Sequence, residues 1–251
     1  MFKPKKDFEW NLLGIYNYNK PGKFSGYFDF LKKNLDKDGD LVEAGVYQGK
    51  SLLSVALFLK EMKSNKIIYG FDSFTGFPPI QKKQDKITNF KSMYNKRLIS
   101  KSHFNEFETS INIIKKTKKK KLVDAYSIST SGAFADTSKQ SILKKIDFLG
   151  LTNIRLIDGS FEDTMKKFNP KKGLISGIFD CDLYESYKIC FNFLWPHLNK
   201  KGQIYLDEYY SLKFPGAKIA CDEFVAMNNA KLFKYKNKNI SDFERWGMLK
   251  I

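Results

Sequence analysis

"DLVEAGVYQGKSLLSVALFLKEM", residues 40–62, is the stretch that decides the fold. "DLVEAGV" (40–46) is a short apolar run ending in an acid and a glycine, and "SLLSVALFLKEM" (51–62) carries apolar residues at helical spacing. A strand that turns through glycines into a helix is one repeat of an α/β sheet, and the repeat recurs downstream. "KIIYGFD" (66–72) predicts the next strand, and "TSKQSILKKIDFLGL" predicts a helix that opens on a capping Thr or Ser and ends at Gly150. "NIRLIDG", "LISGIFD" and "QIYLDE" follow as strands, alternating with "SFEDTMKKF" and "YESYKICFNFLWPHL" as helices. Such alternation predicts an α/β, doubly wound, mostly parallel sheet with helices on both faces. After a helix in "GAKIACDEFVAMNNA", the runs "KLFKYK" and "RWGMLKI" predict a C-terminal antiparallel hairpin, an ending that separates the chain from dehydrogenase-type sheets.

At 251 residues the chain suits one sizeable domain with additions. Residues 1–39 are expected to form an N-terminal helical cap, broken at "NYNKPGKFSG", and residues 40–251 the main domain. Within it, the segment from about 73 to 135 is too long for an ordinary connection and is read as a lid with some helix, in "SHFNEFETSINIIKKTKKKK", or as a solvated insertion. Lys+Arg 44 minus Asp+Glu 27 leaves a formal charge of +17, which raises nucleic acid, an anionic membrane surface or an anionic substrate as partners. The one dense block, "KKTKKKK" (115–121), has no interleaved aromatic on which a base could stack, so the surplus reads as lysine spread over solvated faces. Cys181, Cys190 and Cys221 form no CxxC pair and leave an odd count, which argues against a disulfide framework or zinc ribbon. With no apolar signal core at the N-terminus and no bilayer-length apolar run, the expected location is cytoplasmic.

In open α/β sheets ligands bind at the carboxyl ends of the strands. The first such end is "VEAGVYQGKS": Gly45 and Gly49 let backbone approach a ligand, the next helix offers its N-terminus, and Ser51 can donate to a carboxylate there. Glu43 would repel a pyrophosphate but suits an amino group, and Asp72, ending the second strand, sits where nucleoside-binding folds place an acid on ribose hydroxyls. An ammonium-binding acid with a ribose-binding acid points to S-adenosyl-L-methionine rather than a nicotinamide dinucleotide. Taken singly, Glu43 could end a strand, the glycines serve a tight turn, and Asp72 cap the following segment.

"GIFDCDLYES" (177–186) and "GQIYLDEYYS" (202–211) end apolar runs in acids. Asp180 closes the fourth strand and Asp207 and Glu208 the fifth, so in a doubly wound sheet the three carboxylates converge beside the cofactor cleft. Unpaired, they would raise one another's pKa values, and a divalent cation removes the conflict. All-oxygen donors favour Mg²⁺, with Mn²⁺ or Ca²⁺ compatible. Cys181, between Asp180 and Asp182, is read as a packing residue rather than a ligand.

Together "VEAGVYQGKS", "GFDSFTGFP", "GSFEDT", "FDCDLYES", "YLDEYYS" and "FPGAKIACDEF" resemble the macrocin/mycinamicin-type (TylF/MycF-like) sugar O-methyltransferases over roughly residues 40 to 225, and more distantly catechol O-methyltransferase. The resemblance implies a Rossmann-like class I methyltransferase sheet, dependence on S-adenosylmethionine and Mg²⁺, a metal triad of Asp180, Asp207 and Glu208, and Asp182 as general base. It also places Tyr47, Ser73, Gly159, Ser160, Phe161 and Asp180 among the cofactor-binding residues. Cys181 stands where the family commonly has glycine, and Glu208 where it often has aspartate. His103, in the lid, is a second catalytic candidate ranked below Asp182 and read as exposed; His197 reads as structural, and Asp136 in "GAFADTS" (132–138) has no assigned role. The implied acceptor is a small molecule or carbohydrate: a glycoside, nucleotide sugar or surface polysaccharide. The competing class is a basic RNA or other nucleic-acid methyltransferase, disfavoured because no NPPY-like motif or RNA-binding module is present. An inactive cofactor-binding partner protein is opposed by the intact acids, and a homo-oligomer is left open.

Overall fold

In the computed structural model, which describes residues 2–78, 82–117, 124, 133–236 and 243–251, seven strands form one sheet in the order β3-β2-β1-β4-β5-β7-β6. The strands are β1 (Asp40–Ala44), β2 (Ile68–Asp72), β3 (Ile154–Asp158), β4 (Leu174–Phe179), β5 (Leu198–Leu206), β6 (Ala230–Lys234) and β7 (Trp246–Lys250). β1 to β5 pair in parallel, and β7 runs antiparallel to both β5 and β6, so the terminal hairpin extends the sheet at one edge. The chain order steps outward from β1 to β3 and then returns to β4 on the other side of β1. That reversal makes the β1/β4 boundary the switch point where such sheets bind ligands.

The helices are α1 (Asp7–Leu13), α2 (Ser25–Lys33), α3 (Lys50–Glu61), α4 (Asn89–Asn95), α5 (Lys101–Thr117), α6 (Lys139–Leu149), α7 (Phe161–Met165), α8 (Tyr184–Leu194) and α9 (Pro215–Met227). α6 begins on Ser138, whose side chain accepts the Ser141 N–H, and stops at Gly150 in the left-handed region, as the sequence predicts.

Period-two alternation divides the sheet's side chains between two cores. Leu41, Ile178 and Tyr205 pack with Trp10, Phe28, Leu31, Leu52, Leu59 and Leu149 on one face. Val42, Ala44, Phe71, Phe179 and Leu206 pack with Tyr187, Phe191, Leu194 and Ala217 on the other. A fully buried residue such as Phe71 or Leu52 contributes about 1.5–3 kcal/mol of transfer free energy. The N-terminal helices thus cover part of one face and share its core.

The long segment after β2 has a small core of its own, Phe90, Met93, Ile99, Phe107 and Ile111, against which Leu212 and Ile219 pack. It is pinned to the sheet side by Asp85, 1% exposed, whose Oδ1 accepts the Tyr184 N–H at 2.8 Å and so caps α8 from a distant part of the chain. Residues 118–121 of the lysine block, and residues 79–81, 122, 123 and 125–132 of the long segment, lie outside the described residues. No helix among the described residues is long and apolar enough to cross a membrane.

Candidate active site

Backbone pairing carries the parallel sheet one rung past its strands and brings the site together. The Gly45 N–H donates to Phe71 O, Gly159 N–H to Asp72 O, Asp180 N–H to Ala44 O, and Asp207 N–H to Phe179 O. Asp180 and Asp207 therefore stand side by side because β4 and β5 are neighbours in parallel register. Among the described residues, Asp180, Asp207 and Glu208 offer oxygens that all lie within 4.8 Å of one another.

So many acids in one buried place perturb each other strongly. Burial, and then the charge of Asp207, push Asp180 well above the ordinary carboxylate range. Burial followed by Glu208 and Asp207 does the same to Asp182, and burial with Asp207 pushes Glu208 up to about 7. Asp207 goes the other way: burial alone would raise it, but Lys23 and Arg245 outweigh that and hold it below the usual range. The Lys23 ammonium lies 3.0 and 3.2 Å from the two Asp207 oxygens, and an Arg245 nitrogen lies 4.0 Å from one of them. An all-oxygen donor set whose members resist ionising together fits a hard divalent cation.

Asp182 is buried and in the left-handed region at φ 60, and the next N–H, of Leu183, donates back to Cys181 O at 2.6 Å. Aspartate tolerates this conformation better than most residues, and the turn carries its carboxylate off the strand line set by Asp180. Cys181 goes the opposite way into the core, its Sγ 3.9 Å from Cys190 Sγ, and all three cysteines are free. It packs, as read from the sequence.

On the cofactor side, Glu43 is fully buried beneath α3. Its Oε1 accepts the Ser51 hydroxyl at 2.7 Å, and its Oε2 has no hydrogen-bond partner. Burial raises its carboxyl to about 8 against the opposing pull of Ser51 and Lys23. A buried, unpartnered carboxylate oxygen fits an ammonium group. Ser51, expected to donate to a carboxylate, donates to that of Glu43. Asp72 Oδ2 accepts the N–H groups of Val46 and Tyr47, both at 2.8 Å, and its Oδ1 accepts that of Phe74 at 2.7 Å. It holds the cofactor loop in shape, the capping alternative, with spare lone pairs for a hydroxyl. Gly45 at φ +89 and Gly49 at φ +77 occupy the left-handed region, and a Cβ on Gly45 would stand 1.9 Å from Asp180 O.

The remaining candidates sit close by in chain order but have structural duties. Ser73 Oγ donates to Gly76 O at 3.3 Å. Gly159 has φ +137, Ser160 caps α7 by accepting the Asp163 N–H, and Phe161 is half-buried against the second core. His103 is corrected in one respect: it is 4% exposed rather than solvated. Its Nε2 donates to Ser211 O at 2.7 Å and its ring stacks on Tyr210 at 4.0 Å, while burial lowers its pKa. The nitrogen that donates to Ser211 O is thereby committed. His197 lies in a 3₁₀ turn, Trp195–His197.

Three contributors carry no signal in the sequence, and a fourth, Asp136, had no role assigned from it. Lys23 sits in the loop before α2 and carries no motif. Arg245 enters from the edge hairpin, equally without a signal. Tyr187 donates its hydroxyl to Phe179 O at 2.8 Å and receives the Glu208 N–H at 3.3 Å, tying the ends of β4 and β5; its place one helical turn after Leu183 marked it only as core. Asp136 accepts the Tyr47 hydroxyl at 2.7 and 2.8 Å, while Phe134 packs edge-on to both Tyr47 and Phe77, so the end of the long segment rests on the cofactor loop.

Residues 42–209 match a family model described as a methyltransferase domain. No curated protein matches the chain. Among solved structures, the O-methyltransferase NovP is 17% identical with a TM-score of 0.60, covering 90% of this chain and 79% of its own. CalS11, a calicheamicin methyltransferase, is 20% identical with a TM-score of 0.59, covering 89% and 77%, and its apo structure is described as that of a TDP-rhamnose 3'-O-methyltransferase. A methyltransferase from Podospora anserina, solved with S-adenosylhomocysteine, is 10% identical with a TM-score of 0.52, covering 96% and 85%. At these identities the likeness is one of fold.

Proposed function

The chain belongs to the methyltransferase-domain family, with S-adenosylmethionine as methyl donor, and on that premise we propose that it is a Mg²⁺-dependent O-methyltransferase acting on a sugar hydroxyl. The observation that carries the reading is the convergence of Asp180, Asp207 and Glu208 at the ends of β4 and β5, one strand from the cofactor loop. Methyl transfer to a ring nitrogen needs no such cluster, whereas an alcohol is a poor nucleophile at neutral pH. The quoted motifs, with the fold likeness to NovP and CalS11, support a macrocin/mycinamicin-type sugar acceptor.

Bound at these residues, the cation would acidify the acceptor hydroxyl and the cofactor would present the electrophilic methyl. Asp180, Asp207 and Glu208 would hold that cation at the strand ends. Asp182, set apart by its left-handed turn, collects the proton as the oxygen attacks. Glu43 and the Gly45–Gly49 loop fix the cofactor's amino-acid end, so much of the acceleration is positional. Dialysis against EDTA is expected to abolish turnover of a sugar acceptor and added Mg²⁺ to restore it, and Asp180→Ala is expected to be inactive under both conditions. Full turnover in EDTA and in Asp180→Ala would overturn the metal role.

Glu43 yields a pH prediction with a definite sign. Free, it is protonated below about 8, so pairing with an ammonium must expel its proton. Affinity for S-adenosylmethionine is therefore expected to tighten as pH rises from about 6 to about 7.5, before the cofactor's own amine begins to lose its charge. Calorimetry in buffers of different ionisation enthalpy should register the released proton. Glu43→Gln should bind more weakly and flatten the pH dependence; an unchanged slope would remove Glu43 from the amine.

A further inference from the structure

The acid cluster contains a cation that belongs to the chain. Lys23 lies outside the matched residues 42–209, yet its ammonium spans both oxygens of Asp207 at 3.0 and 3.2 Å. Its side chain is 21% exposed and its partner's 8%. The rings of Tyr16 and Phe24 face the ammonium at 5.4 and 4.9 Å, and Tyr205 donates its hydroxyl to the Lys23 carbonyl at 3.2 Å, so both ends of the residue are held. Tyr16, Lys23 and Phe24 all come from the segment between α1 and the start of α2.

We propose that Lys23 is the resident counter-cation of the site, a positioning residue that holds the Asp207 side chain in place through contacts to both of its oxygens. Four acids, Asp180, Asp182, Asp207 and Glu208, are opposed by Lys23, by Arg245 at 4.0 Å from Asp207, and by Lys213 acting on Asp182 and Glu208; Lys23 is the one of these three that reaches both oxygens of Asp207 at hydrogen-bond distance. The same ammonium stands beside the oxygens a divalent ion would use, and like charges at such separations repel strongly in a buried setting. Lys23 therefore also weakens divalent-ion binding. This second consequence rests on the metal reading above; the first does not.

Lys23→Met keeps the stem's packing and removes the charge. In EDTA the variant is expected to melt on the order of 5–10 °C below the wild type, because an uncompensated acid is left buried, and Mg²⁺ should restore most of the loss. Calorimetric titration with Mg²⁺ or Mn²⁺ alone should show a Kd at least tenfold tighter than the wild type's. An unchanged melting temperature in EDTA, or an equal or weaker Kd, overturns the proposal. Should neither protein bind a divalent ion, the metal reading falls and the EDTA melt alone decides whether Lys23 is the counter-cation. Should Lys23→Met give no folded protein, Lys23→Arg decides: retained folding with wild-type-like ion affinity upholds the role of the charge, and failure like that of methionine overturns it.

Discussion

Asp182→Asn is expected to lower kcat by roughly 10²–10⁴, the range set by loss of a positioned general base, while S-adenosylmethionine and Mg²⁺ bind as in the wild type. Asparagine keeps the size of the side chain and is one of the few residues at ease in the left-handed conformation that residue 182 adopts at φ 60, so the fold should be undisturbed. Alanine would confound the test, because it adds backbone strain to the loss of the carboxylate. Single-turnover methyl transfer measured beside calorimetry of each ligand separates chemistry from binding. A variant with full kcat would move the base elsewhere, and one that loses cation affinity in step with kcat would make Asp182 a ligand.

The second large effect falls on a residue with no side chain. Gly45→Ala would place a Cβ 1.9 Å from the Asp180 carbonyl while forcing alanine to φ +89. Strain and overpacking together should destabilise the fold by about 2–6 kcal/mol, a fall in melting temperature on the order of 10 °C. The loop cannot retreat, since the N–H groups of Val46 and Tyr47 are both held by Asp72. The expected result is loss of S-adenosylmethionine binding even at temperatures where the variant is folded. Wild-type affinity in a folded Gly45→Ala protein would show that the contact between the cofactor loop and β4 is dispensable.

The sheet was legible because its units are local. Each strand-turn-helix repeat announces itself by apolar period and turn residues, and right-handed crossover then leaves few ways to order the strands. The acids at the ends of β4 and β5 were legible for the same reason, since neighbouring parallel strands finish side by side. Lys23 and Arg245 were not, because they reach Asp207 from 184 residues upstream and from the last hairpin, and neither distance leaves a trace in local pattern. His103 shows the limit from the other direction: a polar residue in a lysine-rich helix suggested exposure, but its place on the face bearing Phe107 and Ile111 buries it under Tyr210. Asp72 shows how one residue type serves two ends, since the carboxylate suited to ribose is also suited to loop amides.

The shared core described above sets the size of the unit that evolution or an engineer must move whole. Residues 42–209 look like a transplantable module, but Trp10, Phe24, Tyr27, Phe28 and Leu31 cover one face of its sheet and β7 completes the pairing of β5. A gene fusion cut at the boundaries of the matched segment would slice through that face and strip Asp207 of both its cations. The flanks therefore belong to the same folded unit as the site rather than being appended to it.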